Sequence, residues 1–93
     1  MTVTPAQVAN DLDAQASYFA RSDADIARAC RETARMIRTF QRGEEVMARD
    51  YAGLHGRLLN LYTRFRGRTD TQIGKSILRG IEAIEALRAA GAP

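Results

Sequence analysis

Residues 26–42 read IARACRETARMIRTFQR, and their spacing decides the fold class. Ile26, Cys30, Thr33, Ile37 and Phe40 recur at intervals of 4, 3, 4 and 3, the repeat that lines one side of an α-helix. Arg28, Arg31, Arg35, Arg38 and Arg42 recur at 3, 4, 3 and 4. At 100° per residue the two sets point roughly 160° apart, so an apolar seam is backed by a row of guanidinium groups about 20 Å long. Ser22 opens this helix, and Asp23 and Asp25 favour its positive end. Gly43 can take the left-handed conformation that ends it.

The same logic extends along the chain in both directions. Upstream, Thr4-Pro5 with Gln7 is a capping-box start, and Val8, Leu12 and Phe19 share one face. Downstream, Glu44 and Glu45 restart the chain as first-turn acids. Met47, Tyr51, Leu54, Leu58, Leu61 and Phe65 form a second long seam, broadened by His55, Leu59 and Tyr62, and Gly67 ends it. So wide an apolar face predicts that this third helix is the central one. Thr69 with Gln72, or Asp70 alone, caps a last helix carrying Ile73, Ile77, Ile81, Ile84 and Leu87 inward, with Gly91 and Pro93 at its end. Gly80 lies in that seam, where a missing side chain lets a large neighbour such as Phe40 or Phe65 approach.

No stretch alternates with period two, and the connections are short. The expectation is a single all-α domain over residues 1–93: an antiparallel up-down bundle of four helices at roughly 5–20, 23–42, 44–66 and 70–90. At 93 residues the chain buries only about 60–65% of its unfolded surface, so stability is marginal and a homodimer that completes the bundle is favoured over a monomer. Candidate dimer contacts are Val46, Gly53, Gly56, Asn60 and Leu78, which fall off the main seams; the two glycines each cost about 1 kcal/mol in a helix interior unless a helix packs closely there or the helix kinks. Apolar runs are too short to cross a membrane, no leader is evident, and one cysteine fits a reducing compartment, so a cytoplasmic location is expected.

Known chemistries find little support. Thr69 to Ser76 ends like a phosphate-binding loop in Gly74-Lys75-Ser76, yet Thr69 stands where its first glycine belongs and no strand leads in. A capped helix start with a surface lysine explains it better. Residues 5–22 have helix-turn-helix-like apolar spacing, but Asp13 occupies the turn position and the segment is acidic, so one continuous helix is expected. His55 is the only histidine and Cys30 the only thiol. Cys30 sits in an apolar seam and is read as a small hydrophobe, and His55 as a partly buried, satisfied imidazole. Glu82 and Glu85 are spaced to pair with Arg79 and Arg88. No catalytic, metal-binding or cofactor-binding residue is identified, and the chain is read as a non-enzyme.

Charge is distributed unevenly. Thirteen of fourteen basic residues are arginine, and residues 26–68 hold ten of them against four acids. On the second helix only Glu32 is placed to pair with the row, reaching Arg28 and Arg35. Arg64, Arg66 and Arg68 form a second group at the end of the third helix. Three readings compete: a solvated face, a dock for an acidic protein surface with arginines as bidentate anchors, and contact with a nucleic-acid backbone. Modest net charge (+3), a single lysine and an acidic first helix weigh against nucleic acid. So does the lack of an interleaved aromatic platform, since Phe40, Tyr51, Tyr62 and Phe65 belong to the core. The expected function is therefore a small regulatory interaction module that binds an acidic protein surface, with a nucleic-acid accessory protein as the alternative.

Overall fold

The computed structural model describes residues 3–65 and 71–91. Four helices follow in order: α1 (Pro5–Phe19), α2 (Ala24–Gln41), α3 (Ala48–Phe65) and α4 (Gln72–Gly91), with no strand among the described residues. Gly67, Thr69, Asp70 and Pro93 lie outside the described residues, as do Arg66, Arg68 and the side chain of Phe65.

The starts of α1, α2 and α4 and the end of α2 each follow from a local side-chain or backbone bond. Thr4 and Gln7 form the reciprocal capping box: the Gln7 amide donates to Thr4 Oγ1 at 3.2 Å and the Thr4 amide to Gln7 Oε1 at 2.9 Å. The cap of α2 is Asp23 rather than Ser22, because the Asp23 carboxylate accepts from the Ile26 amide at 3.2 Å. At the far end Gly43 has φ +73°, its amide donates to Phe40 and the Glu44 amide to Thr39, a Schellman closure. That closure corrects the expected start of α3. Glu44 is spent on ending α2 and its carboxylate turns back to Arg42, so residues 44–47 run without regular structure and α3 begins at Ala48. α4 is capped by Thr71, whose hydroxyl accepts from the Gly74 amide at 3.2 Å.

Paired residues reveal an antiparallel order closed into a ring. Asp13 meets Arg38 across α1 and α2, Glu32 meets Arg57 across α2 and α3, His55 meets Glu85 across α3 and α4, and Asp11 meets Ser76 across α1 and α4. Of the two diagonals, α2 and α4 touch and α1 and α3 do not. The central pair is therefore α2 and α4, not α3. Leu59, counted on sequence as part of the broad apolar face of α3, is 43% exposed, which narrows the face that α3 buries. Val8, Leu12, Ile26, Cys30, Thr33, Ile37, Leu54, Leu58, Leu61, Ile73, Ile77, Ile81 and Ile84 fill the interior, as the seams predicted. Gly80 does admit a close neighbour, but a different one: a Cβ there would sit 3.2 Å from both Leu12 Cδ1 and Thr33 Cγ2. The glycine lets α1, α2 and α4 converge at one point.

Candidate docking site on the second and third helices

α2 has no glycine or proline between its cap and Gly43, so the backbone carries the arginine row without a break. The five arginines do not share one fate. The Arg38 guanidinium crosses to α1, 2.6 Å from Asp13 Oδ2 and 3.1 Å from Asn10 Oδ1. Arg42 pairs with Glu44 and reaches Thr39 Oγ1 at 3.5 Å. Both ion pairs are solvent-exposed and contribute less than about 1 kcal/mol to stability, yet they occupy the donors that a partner would need. Arg28, Arg31 and Arg35 are exposed and have no hydrogen-bonded or ionic partner among the described residues. The open row is three arginines, not five.

Glu32 departs from expectation in the same way. Its carboxylate does not turn to Arg28 or Arg35 on its own helix but to Arg57 of α3, Oε2 lying 2.5 Å from the guanidinium. The oxygen is shielded from water and the approach is off hydrogen-bond geometry, so the contact is an ion pair without a directed bond. This pair spans the seam between α2 and α3. On one side of it lies a groove of about 270 Å³ with Asp25, Arg28, Arg57, Asn60 and Arg64 as its walls and the buried Ala29 and Leu61 as its floor. On the other side a groove of about 200 Å³ is lined by Arg35, Glu45, Val46, Met47 and Asp50. The seam is thus basic at one end and acidic at the other.

Arg28 and Arg64 of the expected site come together in the basic groove. Arg31 and Arg35 stand free on α2, and Arg38 and Arg42 are withdrawn. Arg57 was missed on sequence, although its seven-residue spacing from Arg64 puts both on one face of α3. The expected dimer residues also divide. Gly53 and Asn60 are exposed on α3, Gly56 and Val46 are half-buried, and no atom lies within 4 Å of a Cβ built on either glycine. Within one chain, then, no helix packs against those glycines. Leu78 is half-buried on the α4 stripe that carries Glu85 seven residues on, the side that meets α3, so it does not join the others.

Several other polar groups are engaged within the bundle. His55 Nε2 lies 2.9 Å from Glu85 Oε2 and its ring stacks on Tyr51 at 5.4 Å, so Glu85 binds α3 rather than Arg88. Arg88 instead covers the Tyr51 ring, 4.4 Å from its centroid. Burial, then the Glu85 charge, raises the Tyr51 phenol, while Arg88 pulls it down. Ser76, fully buried, donates to Asp11 at 2.5 Å. Its two neighbours in the phosphate-loop-like stretch, Gly74 and Lys75, lie in the first turn of α4, the lysine exposed. Burial, helped by the Asp11 charge, pushes the Cys30 thiol up to about 11, which keeps it a neutral, weakly nucleophilic hydrophobe. No cluster of three metal-ligating side chains exists among the described residues, and no helix there is long and apolar enough to cross a membrane. Comparisons with protein-family models, with curated proteins and with solved structures gave no match to this chain.

Proposed function

We propose that this chain is a non-enzymatic docking module that binds an acidic protein surface through Arg28, Arg31 and Arg35, with Arg64 extending the row across the groove. The observation that carries this reading is the contrast within α2: two arginines are neutralised by the protein's own acids, and three are left open on a rigid, capped helix. Arginine forks pair bidentately with carboxylates, and a helix that holds them in line limits the entropy lost on binding. An acidic protein suits this surface better than a nucleic acid. The open row covers only about 10 Å of helix, and Asp13, Asp25 and Glu32 flank it. Backbone contact with a duplex needs a longer uninterrupted positive track.

The test is a pull-down from the native host with the intact chain and with Arg28, Arg31 and Arg35 changed together to Glu, each with and without nuclease. The expected result is an acidic protein retained through nuclease treatment and lost by more than about tenfold with the triple variant at unchanged helical content. Retention of the same protein by the triple variant overturns the proposal. Retained material that disappears with nuclease, and whose binding falls steeply with salt, replaces it with the nucleic-acid reading.

A further inference from the structure

Given acidic docking, on which the inference rests, we infer that the partner's docking segment is an amphipathic α-helix lying along the α2–α3 seam. Arg28, Arg31 and Arg35 stand 3 and 4 residues apart on one unbroken helix. Their Cα atoms therefore rise by about 4.5 Å and then by about 6 Å. A second helix repeats carboxylates at that same step when they stand at i, i+3 and i+7. An extended segment brings same-side residues round only every ~6.6–6.8 Å, so its third carboxylate overshoots Arg35 by about 3 Å. Arg64, on the α3 wall of the basic groove, receives one further acid from the other flank of the segment.

The seam itself supplies the apolar half of the pattern. The groove of about 270 Å³ beside Arg28 is floored by Ala29 and Leu61, and the groove of about 200 Å³ beside Arg35 is lined by Met36, Val46 and Met47. Met47 is 50% exposed, an adaptable apolar side chain that its own chain leaves half uncovered. Ala29 and Met36 are seven residues apart on α2, about 10.5 Å along its axis. A helix laid beside α2 reaches both grooves with apolar side chains at i and i+7, one on each side of the Glu32–Arg57 pair. This is the anchor spacing by which amphipathic helices dock in grooves. A nucleic-acid backbone could meet the arginines but has no apolar side chain to seat between the helices. Glu45 and Asp50 close the far end of the seam, so the segment's acids stop level with Arg35, beyond which a carboxylate would be repelled.

The probe is a labelled, alanine-based peptide of about 18 residues, long enough to form a helix on docking. It carries two leucines seven apart, three glutamates 3 and 4 apart along one flank and one glutamate on the other. Its controls are a scrambled peptide of the same composition and a version broken by two prolines. Binding to the full chain is followed by fluorescence anisotropy from roughly 1 to 500 µM. The patterned peptide should bind about tenfold or more tighter than either control and gain helical circular dichroism on binding. Changing Arg28, Arg31 and Arg35 together to Glu should weaken it by about tenfold or more. Met47→Gln should weaken the patterned peptide and leave unchanged a version whose leucines are glutamines, which locates the apolar contact in the seam. Equal binding of the patterned, scrambled and proline-broken peptides overturns the inference and leaves acidic docking standing. So does an absence of peptide binding when the pull-down retains an acidic protein. Binding that survives the triple variant also overturns the inference. A pull-down that retains no acidic protein counts against docking itself, whichever peptide binds.

Discussion

Two regions use glycine in opposite ways. At the convergence of α1, α2 and α4, Gly80 has Leu12 and Thr33 pressed against the place its side chain would occupy. On α3, Gly53 and Gly56 have nothing within 4 Å. The burial around them differs in the same sense. α2 and α4 each bury seven residues, while α3 buries three among its described side chains, Leu54, Leu58 and Leu61. The fold is best seen as a tight three-helix unit with a fourth helix seated on one flank by Leu54, Leu58, Leu61, the Tyr51–Arg88 stack, the His55–Glu85 hydrogen bond and the Glu32–Arg57 ion pair. Affinity for other molecules has room to develop on the flank, where side chains are not already committed to the core.

Truncation of Leu12 tests this contrast most severely. Leu12 is fully buried and wedged against Gly80, and the rigid convergence of three helices cannot collapse into the space it leaves. Leu12→Ala should cost about 2–5 kcal/mol, and Leu61→Ala on α3 at least about 1 kcal/mol less, since the loosely seated helix can shift to fill the gap. For a domain of this size each 1 kcal/mol lowers Tm by about 4–8 °C, so thermal unfolding separates the two variants readily. Equal losses would show that α3 is as firmly built in as the rest.

The elements that were legible in the sequence are those whose physics is local. The 4-3-4-3 seam of α2, the Thr4–Gln7 box and the Gly43 stop each depend on neighbours within one or two turns, and each stands as read. What was not legible depends on register between helices. Glu32 was assigned to Arg28 and Arg35 because an i,i+4 rule sees only its own helix, yet the packing of α3 delivers Arg57 to it. Arg38 was counted as open because nothing in α2 could neutralise it, while Asp13 and Asn10 come from α1. Gly80 was recognised as a point of approach without its neighbour, since an approach follows from the gap but the identity of the visitor follows from the whole packing. The candidate site suffered most, because surface charge is where the outcome rests on long side chains reaching across elements.

Alkaline pH probes the tight region by a second route. The Cys30 thiol, raised from 9.0 to about 11 by burial and then by Asp11, is more acidic in the unfolded chain than in the folded one. The unfolded state therefore releases the proton first. The contribution is fully present below pH 9 and is lost as pH climbs towards 11, amounting to about 2–3 kcal/mol at full loss. Cys30→Ala should flatten this part of the pH profile in denaturant melts, and Tyr51, raised in the same direction, leaves a smaller residual slope in both proteins. An unchanged slope in Cys30→Ala would mean that the thiol is not held in an apolar interior.

The smallest effect has the opposite sign and bears on the flank alone. Gly53 and Gly56 have negative φ and open surroundings, so alanine fits both without strain. Removing two interior glycines should stabilise the dilute chain by about 0.8–1 kcal/mol each, through a stiffer unfolded state and better helix propensity. The double variant is thus expected to melt higher than the parent chain in thermal unfolding followed by circular dichroism. A variant that loses stability when dilute would mean that α3 needs glycine for a packing contact within its own chain, and the contrast with Gly80 would vanish.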